Sequence, residues 1–147
     1  MLELLTVMAI IAILCMISAP SLRTLIERNY FVMTQNNVLQ ALQYTKLMAI
    51  QQGAVFFLCG SSDGYRCDGN WEHHWLTVEL STHKIWRLFS GKTYHTKVTW
   101  RGNFSKREGI YFDRFGETGG QRGRFVVQSS REKAEIILIA SGRLRNG

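Results

Sequence analysis

Apolar and polar positions divide the chain into three patterns. Residues 1–19, MLELLTVMAIIAILCMISA, are apolar almost throughout, broken by Glu3 and followed by Pro20. Such a run predicts a helix that is greasy on every side, as a membrane anchor is. Leu4 to Ala19 falls slightly short of the ~20 residues that span a bilayer, and Met1, Leu2, Ser21 and Leu22 extend it. From Ser21 to Gln52 there is no further Gly or Pro. Val38, Ala41, Leu42, Thr45, Met48 and Ala49 recur at helical spacing, with Gln35, Asn36, Gln40, Gln43 and Lys46 largely off that face. Gly53 is a natural stop. The expectation is one nearly continuous helix of about 78 Å, kinked at Pro20, whose second half packs on a sheet. From Ala54 onward short β-type runs take over: AVFFLC, WLTVEL, KIWRLF, KVTWRG, GIYFDRFG, GRFVVQSS and AEIILIASG. The polar STH between the second and third predicts a hairpin. Short links between about seven strands predict antiparallel pairing.

The fold class expected is therefore α+β, a long N-terminal helix packed on an antiparallel β-sheet or small β-sandwich. The segments are 1–22, the anchor helix; 23–53, its amphipathic continuation; 54–142, the β head; and 143–147, a basic flexible tail. With 147 residues in all, what lies outside the anchor suffices for one modest core.

Charge changes the picture. The net charge of +7 is uneven: residues 1–83 carry four Lys/Arg against six Asp/Glu, and residues 84–147 carry 14 against five. An excess of +9 in one half suits an acidic partner such as nucleic acid or lipid headgroups, or else a solvated basic surface. Among the three cysteines, Cys59 and Cys67 bracket the polar loop CGSSDGYRC. They suit a disulfide outside a reducing cytosol, the other reading being two free thiols. A zinc site lacks a second Cys pair, and Cys15 reads as a small apolar residue. Glu72-His73-His74 has no further ligand spacing around it, Asp113 and Glu117 flank a glycine turn, and no nucleophile elbow, phosphate loop or paired acids occur. The expectation is a protein that is not an enzyme and uses no metal or cofactor.

These pieces together resemble a known class. MLELLTVMAIIAIL, ALQYTKLMAIQQGAVFFLC, the cysteine loop with Trp71 and Trp75, GIYFDRFGETGGQRGRF and the terminal IASGRLRNG resemble type IV pilins and pseudopilins, and within them the FimT/GspH-type minor pilins. The resemblance implies a type IV pilin-like fold and a helix that anchors in the bacterial inner membrane with its head in the periplasm. It also implies that the helix later forms the core of a surface filament with other pilin subunits. Glu3 becomes the filament-assembly acid, paired with the N-terminal amine of a neighbour. In such proteins a prepilin peptidase removes a basic leader ending in Gly, the new N-terminal residue is methylated, and the acid lies fifth. With the acid third here, the expectation is that the numbering begins two residues inside the mature protein.

The basic end is the candidate binding site. In an extended tail Arg143 and Arg145, two apart in Gly142-Arg-Leu-Arg, point to one side. Each guanidinium can fork onto phosphate oxygens. The resemblance to FimT-type proteins implies that this motif carries DNA binding for uptake in natural transformation. Lys92, Lys97, Arg101, Lys106 and Arg107 are secondary candidates, interleaved with Tyr94, Trp100 and Phe104; the rings suit base stacking, the other reading being that Trp100 and Phe104 are partly core and only the Lys/Arg face solvent. No base-reading helix is evident, so binding is expected to be sequence-independent and driven by counterion release. The alternative is a structural minor pilin, or a GspH-type pseudopilin of a type II secretion system, without DNA affinity.

Overall fold

The computed structural model describes residues 2–91, 95–103 and 109–147, with side chains throughout these except at 2, 17–21 and 146. Lys92, Tyr94, Phe104, Lys106 and Arg107 therefore lie outside the described residues.

A single helix, α1 (Leu2–Gln52), opens the chain and passes through Pro20 without a break. At about 1.5 Å per residue its 51 residues extend about 76 Å. Side chains 3–16 are exposed on every face. Among the described residues no helix is long and apolar enough to cross a membrane. The segment expected to do so, 1–22, includes side chains outside that description. From Phe31 the helix buries one stripe: Phe31, Thr34, Val38, Ala41, Leu42, Thr45, Met48 and Ala49. The stripe expected from Val38 onward is all there, and it starts two turns earlier. The Thr45 hydroxyl lies 2.7 Å from the Ala41 carbonyl and 2.8 Å from the Thr77 hydroxyl. A hydroxyl has one proton, so Thr45 donates along the helix and Thr77 donates to Thr45, joining helix to sheet. Gly53 ends the helix in the left-handed region at φ 61°. There the Gly53 amide donates to the Ile50 carbonyl and the Ala54 amide to the Ala49 carbonyl, the paired bonds of a Schellman cap.

Among the described residues eight strands follow, where the sequence patterns predict about seven: β1 (Phe56–Ser61), β2 (His74–Glu79), β3 (Ile85–Ser90), β4 (Lys97–Gly102), β5 (Ile110–Phe112), β6 (Gly123–Gln128), β7 (Lys133–Leu138) and β8 (Leu144–Asn146). They form two four-stranded sheets, ordered β3-β2-β1-β5 and β4-β6-β7-β8. All their pairings are antiparallel, and β2 and β3 form the hairpin expected around STH. One core joins the helix stripe to both sheets, through Phe56, Leu58, Trp75, Ile110 and Phe112 on one side and Val98, Trp100, Phe125, Ile136 and Leu138 on the other. The Phe125 ring lies at the centre, 4.9 Å from Trp71 and 4.8 Å from Trp100. Cys59 and Cys67 are bonded as a disulfide, with Cα atoms 5.6 Å apart.

The expected flexible tail at 143–147 is corrected. Residues 144–146 are strand β8, paired with β7 through Leu138↔Leu144, Ile137↔Arg145 and Ile136↔Asn146. Two features hold it in place. Gly142, at φ 68°, closes a tight turn in which its amide donates to the Ile139 carbonyl, and the Ile139 amide donates to the Arg143 carbonyl. Leu144 then seats against the core.

Candidate nucleic-acid interface

Period-two alternation decides which side chains of the β4-β6-β7-β8 sheet face water. Inward go Val98 and Trp100, Phe125 and Val127, Ile136 and Leu138, and Leu144. Their neighbours must face outward, and residues directly opposite one another across strands share a side. The register then places Arg101 of β4 opposite Arg124 of β6, Arg124 opposite Ile137 of β7, and Ile137 opposite Arg145 of β8. Three arginines and one half-buried isoleucine thus form a single row across all four strands. At about 4.8 Å per strand the row is about 14 Å wide. Arg101, Arg124 and Arg145 are all exposed.

A second row lies toward the turn end. The Asn103 amide donates to the Arg122 carbonyl, and the Ile139 amide to the Arg143 carbonyl, continuing the pairing beyond the strands proper. Arg122 and Arg143 are exposed there. A shallow depression of about 370 Å³ is lined by Arg122, Gly123, Arg124, Ile137, Leu138 and Ile139. At the opposite end Lys97, Gln128 and Lys133 form a third row.

One acid belongs to the strands of this face. Glu135, opposite Val126, accepts from Arg124 at 3.0 Å and pairs with Lys133 at 3.1 Å. The hydrogen bond from Lys133, then that from Arg124, holds its carboxyl below the usual glutamate range. Glu135 is therefore ionised at neutral pH and neutralises part of the charge around it. The other four arginines of these two rows, at 101, 122, 143 and 145, are in no described ion pair with an acid.

The turn that aims Arg143 is built from three segments. Lys46 of α1 donates to the Gly142 carbonyl at 2.9 Å. Thr118 reaches the Ala140 carbonyl with both its amide, at 3.1 Å, and its hydroxyl, at 2.9 Å. Gly142 packs so closely on Gly116 that a Cβ at Gly142 would strike the Gly116 carbonyl. Arg143 thus leaves a braced turn whose Gly142 is buried.

Of the residues expected from sequence, Arg143 and Arg145 lie together with Arg101 on one outward face, and Lys97 sits at its far end. Trp100, interleaved with those cations, is 3% exposed and belongs to the core, so it offers no stacking surface. Lys106, Arg107 and Lys92 fall outside the described residues. Arg122, Arg124 and Lys133 were not among the expected site residues. The signal that finds Arg124 and Lys133 is alternation within GRFVVQ and KAEIIL, where each basic residue lies out of phase with the core positions; Arg122, just before the first run, continues the phase of Arg124. Glu3 is exposed in the first turn of α1, where a negative charge suits the helix dipole. Among the described residues no three His, Cys, Asp or Glu side chains converge as a metal site requires.

Comparison with known proteins places this architecture. A family model described as Type II transport protein GspH matches residues 34–142. No curated protein matches the chain. Among solved structures, the type IV minor pilin FimU of Pseudomonas aeruginosa superposes with a TM-score of 0.67 at 14% identity, covering 84% of this chain and 92% of that one. A second crystal form of FimU gives 0.59 at 13% identity, covering 82% and 91%. With well over half of its length inside the family model, and the helix-on-two-sheets fold of a type IV minor pilin, the chain belongs to the GspH family.

Proposed function

We propose that the protein is a minor type IV pilin of the FimT kind that binds extracellular DNA for uptake in natural transformation. It does so sequence-independently, through phosphate contacts. The observation that carries this reading is the outward row Arg101–Arg124–Arg145 with Arg143 beside it, in a sheet whose outward strand positions hold a single acid. Arginine forks match phosphate oxygens, and a sheet face that offers its arginines without a helix for the groove reads backbone rather than bases. On this reading the apolar start of α1 holds the subunit in the inner membrane with its head in the periplasm. After processing by prepilin peptidase, the same helix packs among other pilin subunits in a surface filament.

The test is a titration of the detergent-solubilised full chain against a labelled duplex, read by fluorescence anisotropy at several salt concentrations. Binding should weaken steeply with salt, the logarithmic slope growing by about 0.9 for each phosphate neutralised. Arg143→Ala with Arg145→Ala should cost at least about tenfold in affinity at low salt and make the slope shallower by up to about two. Both side chains are exposed, Arg145 on a short edge strand and Arg143 just before it, so the fold should persist. A wild-type chain that ignores duplex DNA even in dilute buffer rejects the proposal.

That result would leave a second reading, which the description of the matching family favours. The chain would be a structural subunit, in a pilus or in the pseudopilus of a type II secretion system. Its interfaces would then be helix and head surfaces, among them the exposed Leu22, Leu25, Met33, Leu47 and Ile50 of α1.

A further inference from the structure

We propose that Phe115 is a stacking platform for an unpaired DNA base. It would bias the interface toward single-stranded or end-frayed DNA over intact duplex. The inference rests on the proposed function and deepens it by naming the form of DNA preferred.

Phe115 is 73% exposed at the apex of the β5–β6 loop. An isolated apolar side chain on a surface needs no explanation; three features set this one apart. The first is rigidity. The Asp113 carboxylate accepts from the Phe115 amide at 2.9 Å and the Glu117 amide at 2.8 Å. The Gly116 amide donates to the Asp113 carbonyl at 2.8 Å, and the Asp113 amide to the Glu117 carbonyl at 2.9 Å. Four bonds within five residues hold the backbone at Phe115 still, so binding through the ring immobilises little more than two torsions. The second is position. Phe115 precedes Gly116 and Arg143 follows Gly142, and these two glycines pack backbone to backbone. The backbone that carries the ring therefore adjoins the turn from which Arg143 emerges, one of the arginines proposed to contact phosphate. The third is charge. The Arg114 guanidinium sits over one face of the ring, 5.4 Å from its centroid, so a cation backs the platform and a base would stack on the opposite face, a pairing of ring and cation that single-strand binders use. Glu117 is the exposed acid of the loop. The Asp113 carboxylate is engaged by its own loop amides.

A duplex hides its base faces in the stack, so an exposed ring gains from a base only where pairing is absent. Phosphate contacts form with paired and unpaired strands alike, releasing somewhat more counterion from a duplex. Phe115 would therefore contribute to affinity for unpaired DNA and leave duplex affinity to the arginines.

The experiment titrates the detergent-solubilised full chain, by fluorescence anisotropy, with a labelled oligothymidine and with a blunt-ended two-strand duplex, without a hairpin loop, of equal phosphate number. The wild type should bind oligothymidine more tightly. Phe115→Ala should lower that affinity about tenfold, in the range one stacked base supplies, with an unchanged salt slope and less than a twofold effect on the duplex. Phe115→Trp should restore binding. An unchanged oligothymidine affinity in Phe115→Ala, or an equal fall on both ligands, overturns the inference. If Arg143→Ala with Arg145→Ala weakens both ligands while Phe115→Ala weakens neither, this inference alone fails. If the wild type binds neither ligand, the proposed function fails with it.

Discussion

Glu135 shows how much one side chain decides on this face. Lys133 and Arg124 grip its carboxylate and hold it ionised, so both cations are partly spent before any polyanion arrives. Glu135→Gln keeps the shape and removes the charge. Duplex affinity should rise about threefold at low salt, and the logarithmic salt slope should steepen by up to about 0.9, as one more cation becomes free to displace a counterion. Anisotropy titrations at two salt concentrations check it; an unchanged slope would mean that DNA lies elsewhere on the head. At this scale the sequence was half legible. Arg143 and Arg145 stand at the end of the chain in a short motif, and a reader notices them. Arg124 sits inside an apolar run, and only its phase relative to Phe125 and Val127 marks it as outward. The cost of placing Glu135 beside it is invisible until register is known.

Elements were legible in proportion to how local their causes are. The buried stripe from Val38 to Ala49, the cap at Gly53, the β2–β3 hairpin and the cysteine loop each follow from residues a few positions apart. Strand β8 does not. Three residues carry no periodicity worth reading, and what makes them a strand is the open edge of β7 together with Gly142 resting on Gly116, 26 positions away by residue number. The split into two sheets is equally non-local. The cysteine loop offers a test of a local cause. Its ends are tied by the disulfide, with a sequence separation of 8. Inside, the Asp63 carboxylate accepts from the Tyr65 amide at 2.8 Å and the Arg66 amide at 2.9 Å; these bonds, that from Tyr65 foremost, hold its carboxyl below the usual aspartate range. Closing so short a loop restricts the unfolded chain by about 2–3 kcal/mol. Cys59→Ala with Cys67→Ala should cost about that much in denaturant unfolding. The polar latch around Asp63 should still form, because its bonds do not pass through sulfur. A loss well above this range would mean that the covalent tie also organises β1, where Cys59 is fully buried against Leu76 and Val78.

Across the whole molecule, two chemistries sit at opposite ends of one rod. Glu3 and Phe31, the first buried residue among the described side chains of the helix, are about 42 Å apart along α1 at 1.5 Å per residue. Between them Leu4, Leu5, Met8, Ile11 and Leu14 are exposed, and they gain by leaving water for lipid or for one another. The basic face belongs to the sheet at the far end and gains by neutralising phosphate. The two driving forces respond oppositely to salt: screening weakens phosphate contacts, while excluded salts such as sulfate strengthen apolar association. Sites this far apart with no shared partners contribute additively. In the proposed filament Glu3, isolated among apolar neighbours, must meet a positive partner or bear the desolvation of an unpaired charge. Glu3→Gln should therefore reduce incorporation of the subunit into sheared surface filaments, measured by immunoblot, while the solubilised variant keeps the wild-type duplex affinity and salt slope. If DNA binding fell along with incorporation, the head would need its neighbours to form the interface, and the row of arginines on a single subunit would be too small a site. If neither fell, the acid would be a bystander, and the apolar flanks alone would hold the helices together.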